Sequence, residues 1–106
     1  MATFAPSGGR QGQAVTAPAI ANVDVATADT EESWTVPSGT IMFRMRARGS
    51  SKIQLAFTAL QSDTNYVTIY PGNSYMPPQE LSPAASVTLY FQTSKDSEVV
   101  EFEYWS

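Results

Sequence analysis

The chain has 106 residues, six Lys and Arg against ten Asp and Glu, a net charge of −4, and neither cysteine nor histidine. That length makes one domain, which buries about two-thirds of its surface on folding, and a hydrophobic content of 42% is enough for a modest core. The acidic balance disfavours a general binder of nucleic acid or anionic membrane. Missing cysteine excludes disulfides and thiolate metal sites, and missing histidine removes the commonest general base and metal ligand.

The opening MATFAPSGGRQGQ lacks the basic start and continuous apolar run of a signal peptide. No stretch approaches the roughly eighteen apolar residues of a membrane helix. Synthesis in the cytoplasm with no membrane partner is therefore expected. Residues 1–13, rich in Gly, Ser, Pro and Gln, bury too little to order themselves. They read as a flexible N-terminal arm whose anchors are Phe4 and Arg10, ahead of a folded domain over residues 14–106.

From Val15 onward, alternation replaces any helical period. AVTAPAIANVDVA carries Ile20, Val23 and Val25, and Pro18 confines it to a sheet edge or a break. ADTEES is an acidic loop, and SWTV is a short strand closed by the turn cluster Pro37-Ser38-Gly39. In TIMFRMRARGSSKIQLAF, Ile41, Phe43, Met45 and Ala47 share one face, and Met42, Arg44, Arg46 and Arg48 share the other. After Gly49-Ser50-Ser51, the residues Ile53, Leu55 and Phe57 alternate with Lys52, Gln54 and Ala56. Asp63-Thr64-Asn65 is a turn, YVTIY a strand, and Pro71-Gly72 the centre of a type II turn. MPPQELSPAAS is a long irregular crossing.

VTLYFQTSKDSEVVEFEYW reads as a hairpin around Lys95-Asp96. Its register sets Val87 opposite Tyr104, Leu89 opposite Phe102 and Phe91 opposite Val100, all on one face. Short strands, frequent turns and two-faced alternation predict an all-β fold: an antiparallel β-sandwich, jelly-roll-like, in a single domain with an extended N-terminal arm. A small barrel is the alternative.

Pairing residues 41–59 as a hairpin would set Arg48 opposite Lys52. That like-charge pair favours placing the two strands in different sheets. Arg44, Arg46 and Arg48 project outward together, about 7 Å apart. The C-terminal strand shows Val99, Glu101, Glu103 and Trp105 on its outer face at the same spacing. Two readings stay open. As sheet neighbours the rows pair within one molecule, at up to about 1 kcal/mol per exposed pair. Alternatively, one or both rows face another subunit, where the planar fork of Arg binds carboxylates bidentately. Nucleic-acid contact is disfavoured by the absence of interleaved aromatics and by flanking acidic segments.

No catalytic constellation is visible. Ser and Thr have no histidine to activate them, Lys52 and Lys95 sit in polar settings, and Glu31-Glu32 lies in a polar loop. Asp24, Asp29, Glu31 and Glu32 match no standard calcium loop. No enzymatic activity, metal or cofactor is expected. Trp34, Tyr75, Tyr90 and Trp105 either pack at the core and its rim or line a surface suited to sugars or proteins.

The run SVTLYFQTSKDSEVVEFEYWS, with SWTVPSGT upstream, resembles the small β-sandwich head decoration, cement or minor capsid proteins encoded beside the major capsid protein in tailed bacteriophages. The likeness covers about residues 33–106. It consists of a Trp-x-Val-Pro-x-Gly opening and a closing hairpin ending in Glu-Tyr-Trp, with the arm outside it. The resemblance implies a homotrimer or dimer on the capsid exterior of a virion, clamping neighbouring major capsid subunits against internal DNA pressure. The residues expected at that interface are Phe4, Arg10, Arg44, Arg46, Arg48, Glu101, Glu103 and Trp105. The rival is a carbohydrate- or receptor-binding module of a phage surface structure, which would display its aromatics as an exposed platform.

Overall fold

Strands form where alternation coincides with β-branched and aromatic side chains. The computed structural model describes residues 17–82 and 86–106; Phe4, Arg10 and the expected arm lie outside the described residues. Among the described residues seven strands follow in chain order: β1 (Ala19–Val25), β2 (Glu32–Thr35), β3 (Met42–Ala47), β4 (Ile53–Ala56), β5 (Val67–Ile69), β6 (Thr88–Thr93) and β7 (Glu98–Trp105). They build two antiparallel sheets: sheet A in the order β1-β7-β3 and sheet B in the order β2-β6-β4-β5. Tyr75 extends sheet A beyond β3, exchanging backbone hydrogen bonds of 3.0 and 2.8 Å with Met45. Both sheets thus have the strand order of a jelly roll whose sixth strand is reduced to that bridge.

The core lies between the sheets. Phe43, Met45, Val100 and Phe102 from sheet A meet Ile53, Leu55, Leu89 and Phe91 from sheet B, and all eight are buried. Trp34 stacks on Phe102 with ring centroids 4.2 Å apart, and Phe91 lies 5.6 Å from the same ring. Trp34 and Tyr75 both pack against this cluster.

The hairpin expected around Lys95-Asp96 does not form. β6 pairs with β2 and β4, whereas β7 pairs with β1 and β3. The shared apolar face is real, because Leu89, Phe91, Val100 and Phe102 are all buried, but the strands oppose each other across the core. Edge-to-edge and face-to-face arrangements bury the same side chains, so alternation does not distinguish them. The link is an arch with Ser97 at φ 54°. It is pinned where the Ala28 N–H donates to Asp96 Oδ1 at 2.7 Å and the Asp29 N–H donates to the Thr93 carbonyl at 2.9 Å. β3 and β4 also occupy different sheets, as the like charges at Arg48 and Lys52 suggest.

Two apolar assignments need correction. Ile20 faces solvent on sheet A, because its parity is opposite to that of Val23 and Val25, and only the latter two face the core. Phe57 lies beyond the end of β4 and is exposed, although its ring still touches Tyr75.

The Pro71-Gly72 turn forms as its residues dictate: the Asn73 N–H donates to the Tyr70 carbonyl at 3.0 Å, and Gly72 has φ 84°. Nothing lies within 4 Å of a Cβ added at Gly72, so replacing it is costly only conformationally. Gly72→Ala is expected to destabilise the fold by about 1 kcal/mol in urea unfolding. A variant as stable as the parent would show that the turn does not constrain the fold.

Candidate functional site

The outward face of sheet A brings three strands' side chains into rows. β3 and β7 pair Arg44 with Glu103 and Arg46 with Glu101. On the other side of β7, β1 sets Ile20 beside Glu103 and Asn22 beside Glu101. Ile20, Asn22, Arg44, Arg46, Glu101 and Glu103 line a groove of about 440 Å³. Sequence reading found the four charged residues but missed Ile20 and Asn22. The parity of β1 relative to Val23 and Val25 was the signal that places them on this face.

Within one molecule the arginine row forms a ladder with the carboxylates of β7. Arg44 bonds Glu103 through Nη2. Arg46 Nε donates to Glu101 Oε1 at 3.0 Å, and Arg48 Nε donates to Glu101 Oε2 at 2.8 Å. The guanidinium groups of Arg48 and Arg46 hold the Glu101 carboxyl below its ordinary value. All three arginine side chains stay about half exposed, at 47%, 63% and 54%, so each pair contributes at most about 1 kcal/mol. Three guanidinium groups share two carboxylates. Arg46 and Arg48 are engaged through Nε, which leaves their Nη groups to donate elsewhere. Trp105 follows Glu103 in the outward parity of β7, paired with Met42 and partly buried.

A second surface lies at the end of sheet B, where Phe57, Tyr66 and Val67 are exposed and line a depression of about 220 Å³. The loop leading to it is strapped down by Glu31, which accepts from the N–H groups of Leu60 at 2.8 Å and Ser62 at 3.1 Å. Ser62 Oγ donates to Gln92 Oε1 at 3.0 Å, and Gln92 Nε2 donates to Gln54 Oε1 at 2.6 Å. Burial pushes the Glu31 carboxyl up, but the hydrogen bonds from Ser62 and Leu60 outweigh it and leave the group below its ordinary value. Glu31 is therefore engaged as a strap. Among the described residues, no three acidic side chains gather as a metal ion would require.

Fold and face together define an all-β jelly-roll domain that carries a charged sheet surface. No protein-family model and no curated protein matches the chain. Among solved structures it is similar to a de novo designed double-stranded β-helix determined by solution NMR, with a TM-score of 0.52 and 15% identity over 85% of this chain and 100% of that one. At that identity the likeness concerns the fold alone.

Proposed function

We propose that this chain is a virion structural protein that decorates a phage capsid and clamps neighbouring major capsid subunits from the exterior. The observation that carries this reading is the arginine row. It is held about 7 Å apart on a sheet, half exposed, with Nη donors left over in a chain of net charge −4. Such donors meet partner carboxylates bidentately without rearrangement of the sheet. Glu101 and Glu103 preorganise the row, and Trp105 extends the same face. Phe57, Tyr66 and Val67 supply an apolar contact at the other sheet, and Phe4 and Arg10 are proposed as further anchors. Contacts that are weak singly become strong when many copies bind one lattice. The resemblance supplies the partner in this reading, and self-association as a trimer or dimer belongs to it. A carbohydrate-binding module has less support, because Trp34 and Tyr75 pack against the core instead of forming a platform.

Density-gradient sedimentation of source lysate tests the proposal. Co-migration with a megadalton particle in many copies supports it, and recovery only as a free small protein overturns it. Adding purified Arg44→Ser/Arg46→Ser/Arg48→Ser protein to undecorated particles should show binding reduced at least tenfold. The same variant should remain folded, losing no more than about 1 kcal/mol per ladder pair. Undiminished binding would remove this face from the interface.

A further inference from the structure

β1 presents the longest uncovered edge among the described residues. The outer edge of β3 is met by Tyr75, and the edge strands of sheet B, β2 and β5, have four and three residues. β1 has seven residues and, among the described residues, pairs only with β7, so that alternate N–H and C=O groups on its other side have no strand partner there. Folded proteins usually blunt such an edge with lysine, an internal proline or a bulge. Within AIANVDV none of these occurs, and Asp24 is the only charge. Ile20, on the outward face, is 69% exposed.

We propose that β1 is a homodimerisation edge, occupied by β1 of a second copy in antiparallel, two-fold pairing centred on Asn22. This choice of occupant follows from the apolar core-side matches that the two-fold register makes and from the like charges it keeps apart. With the axis at Asn22, Ala19 faces Val25 of the other copy and Ala21 faces Val23 on the core side, while Ile20 faces Asp24 and Asn22 meets Asn22 on the outer side. It is the in-face register in which all seven residues find partners, and it keeps the two Asp24 carboxylates apart. Sliding the copies together around Asp24 instead would set like charges face to face and shorten the ladder.

The product is a continuous six-stranded sheet with both arginine rows on one surface. β3 and its copy lie five strand intervals apart, roughly 24 Å. A clamp that engages two neighbouring subunits needs two such rows. The inference thus deepens the self-association in the proposed function, yet it is tested on the purified chain without any capsid, so the two fail separately.

Sedimentation equilibrium of the full chain, from micromolar to near-millimolar concentration, should show a monomer–dimer equilibrium. Asn22→Lys puts two lysines together on the axis and should weaken the dimer several-fold. Ile20→Lys places each lysine opposite Asp24 of the other copy and should tighten it several-fold, an advantage that shrinks as salt is raised. Both positions are exposed, and each lysine would lie beside Glu101 or Glu103 within its own chain, so both variants should fold. Opposite responses establish the edge and the register. A chain that stays monomeric throughout, or a dimer in which the two variants fail to act in opposite directions, overturns the proposal.

Discussion

Phe102→Ala is expected to lower the unfolding free energy by about 3–5 kcal/mol. Phe102 is fully buried on β7, the middle strand of sheet A, between Ala21 on β1 and Met45 on β3. Its ring is where the two sheets meet, stacked on Trp34 from β2 and close to Phe91 from β6. Truncation removes transfer free energy and leaves a cavity whose walls are strands locked in two ladders, which limits collapse around it. A domain of this size has a total stability of roughly 5–15 kcal/mol, so the variant would sit near the folding threshold. Urea unfolding followed by tryptophan fluorescence reads this directly, because Trp34 reports on the same contact. A loss below about 1 kcal/mol would mean that the sheets are not held together through this stack.

Glu98→Ala is the second large expected effect, at about 2–4 kcal/mol. Glu98 begins β7 and is buried, with Oε1 accepting from the N–H groups of Gly49 and Val99 at 2.9 Å each. It therefore ties the turn after β3 to the start of β7. A Cβ on Gly49 would stand 2.8 Å from Glu98 Oε2, so the glycine is what lets the carboxylate approach. Removing the carboxylate leaves backbone donors without their acceptor in a site that water reaches poorly.

Acid should expose the same dependence. Burial pushes the Glu98 carboxyl up, but the donors around it, the N–H groups of Gly49 and Val99 among them, outweigh it, and the folded-state value lies below the ordinary 4.5. A group depressed by folding contributes stability that is fully present above 4.5 and lost as pH falls through its folded-state value. Glu31 and Glu101 are shifted in the same direction, so the losses accumulate on the acid side. Stability measured down from neutral pH should stay level to about pH 5 and then fall. Glu98→Gln should show a shallower fall than the parent. A parent profile that stays flat below 4.5 would show that these carboxylates do not support the fold.

Particular residues show how far the sequence could be read. Phe43 and Met45 against Arg44 and Arg46 separate core from solvent by alternation alone, and that division is correct. Glu101 and Glu103 were recognisable as complements of the arginines by spacing alone. Whether they met within the chain depended on β7 lying beside β3, strands separated by half the sequence. Ile20 and Asn22 entered the groove through the same non-local pairing, with β1 on the far side of β7. Glu31 and Glu98 read as ordinary acidic loop or strand residues, because the donors that mark them out, Leu60 and Ser62 for Glu31 and Gly49 for Glu98, come from segments distant in the chain.

By itself, the sequence determined the strand class, the inward and outward sets, the type II turn at Pro71-Gly72 and the exclusion of thiol and imidazole chemistry, since these depend on residue identity and short-range backbone geometry. Tertiary structure alone decided that β6 and β7 face each other across a core instead of pairing, that the arginines bond Glu101 and Glu103 of the same chain, and that β1 is an edge strand among the described residues. Alternation states which side of a strand is buried but carries no information about which strand lies beside it. That choice falls to the ladder as a whole, where β7 pairs over seven residues with β1 and six with β3 while β6 joins the opposite sheet.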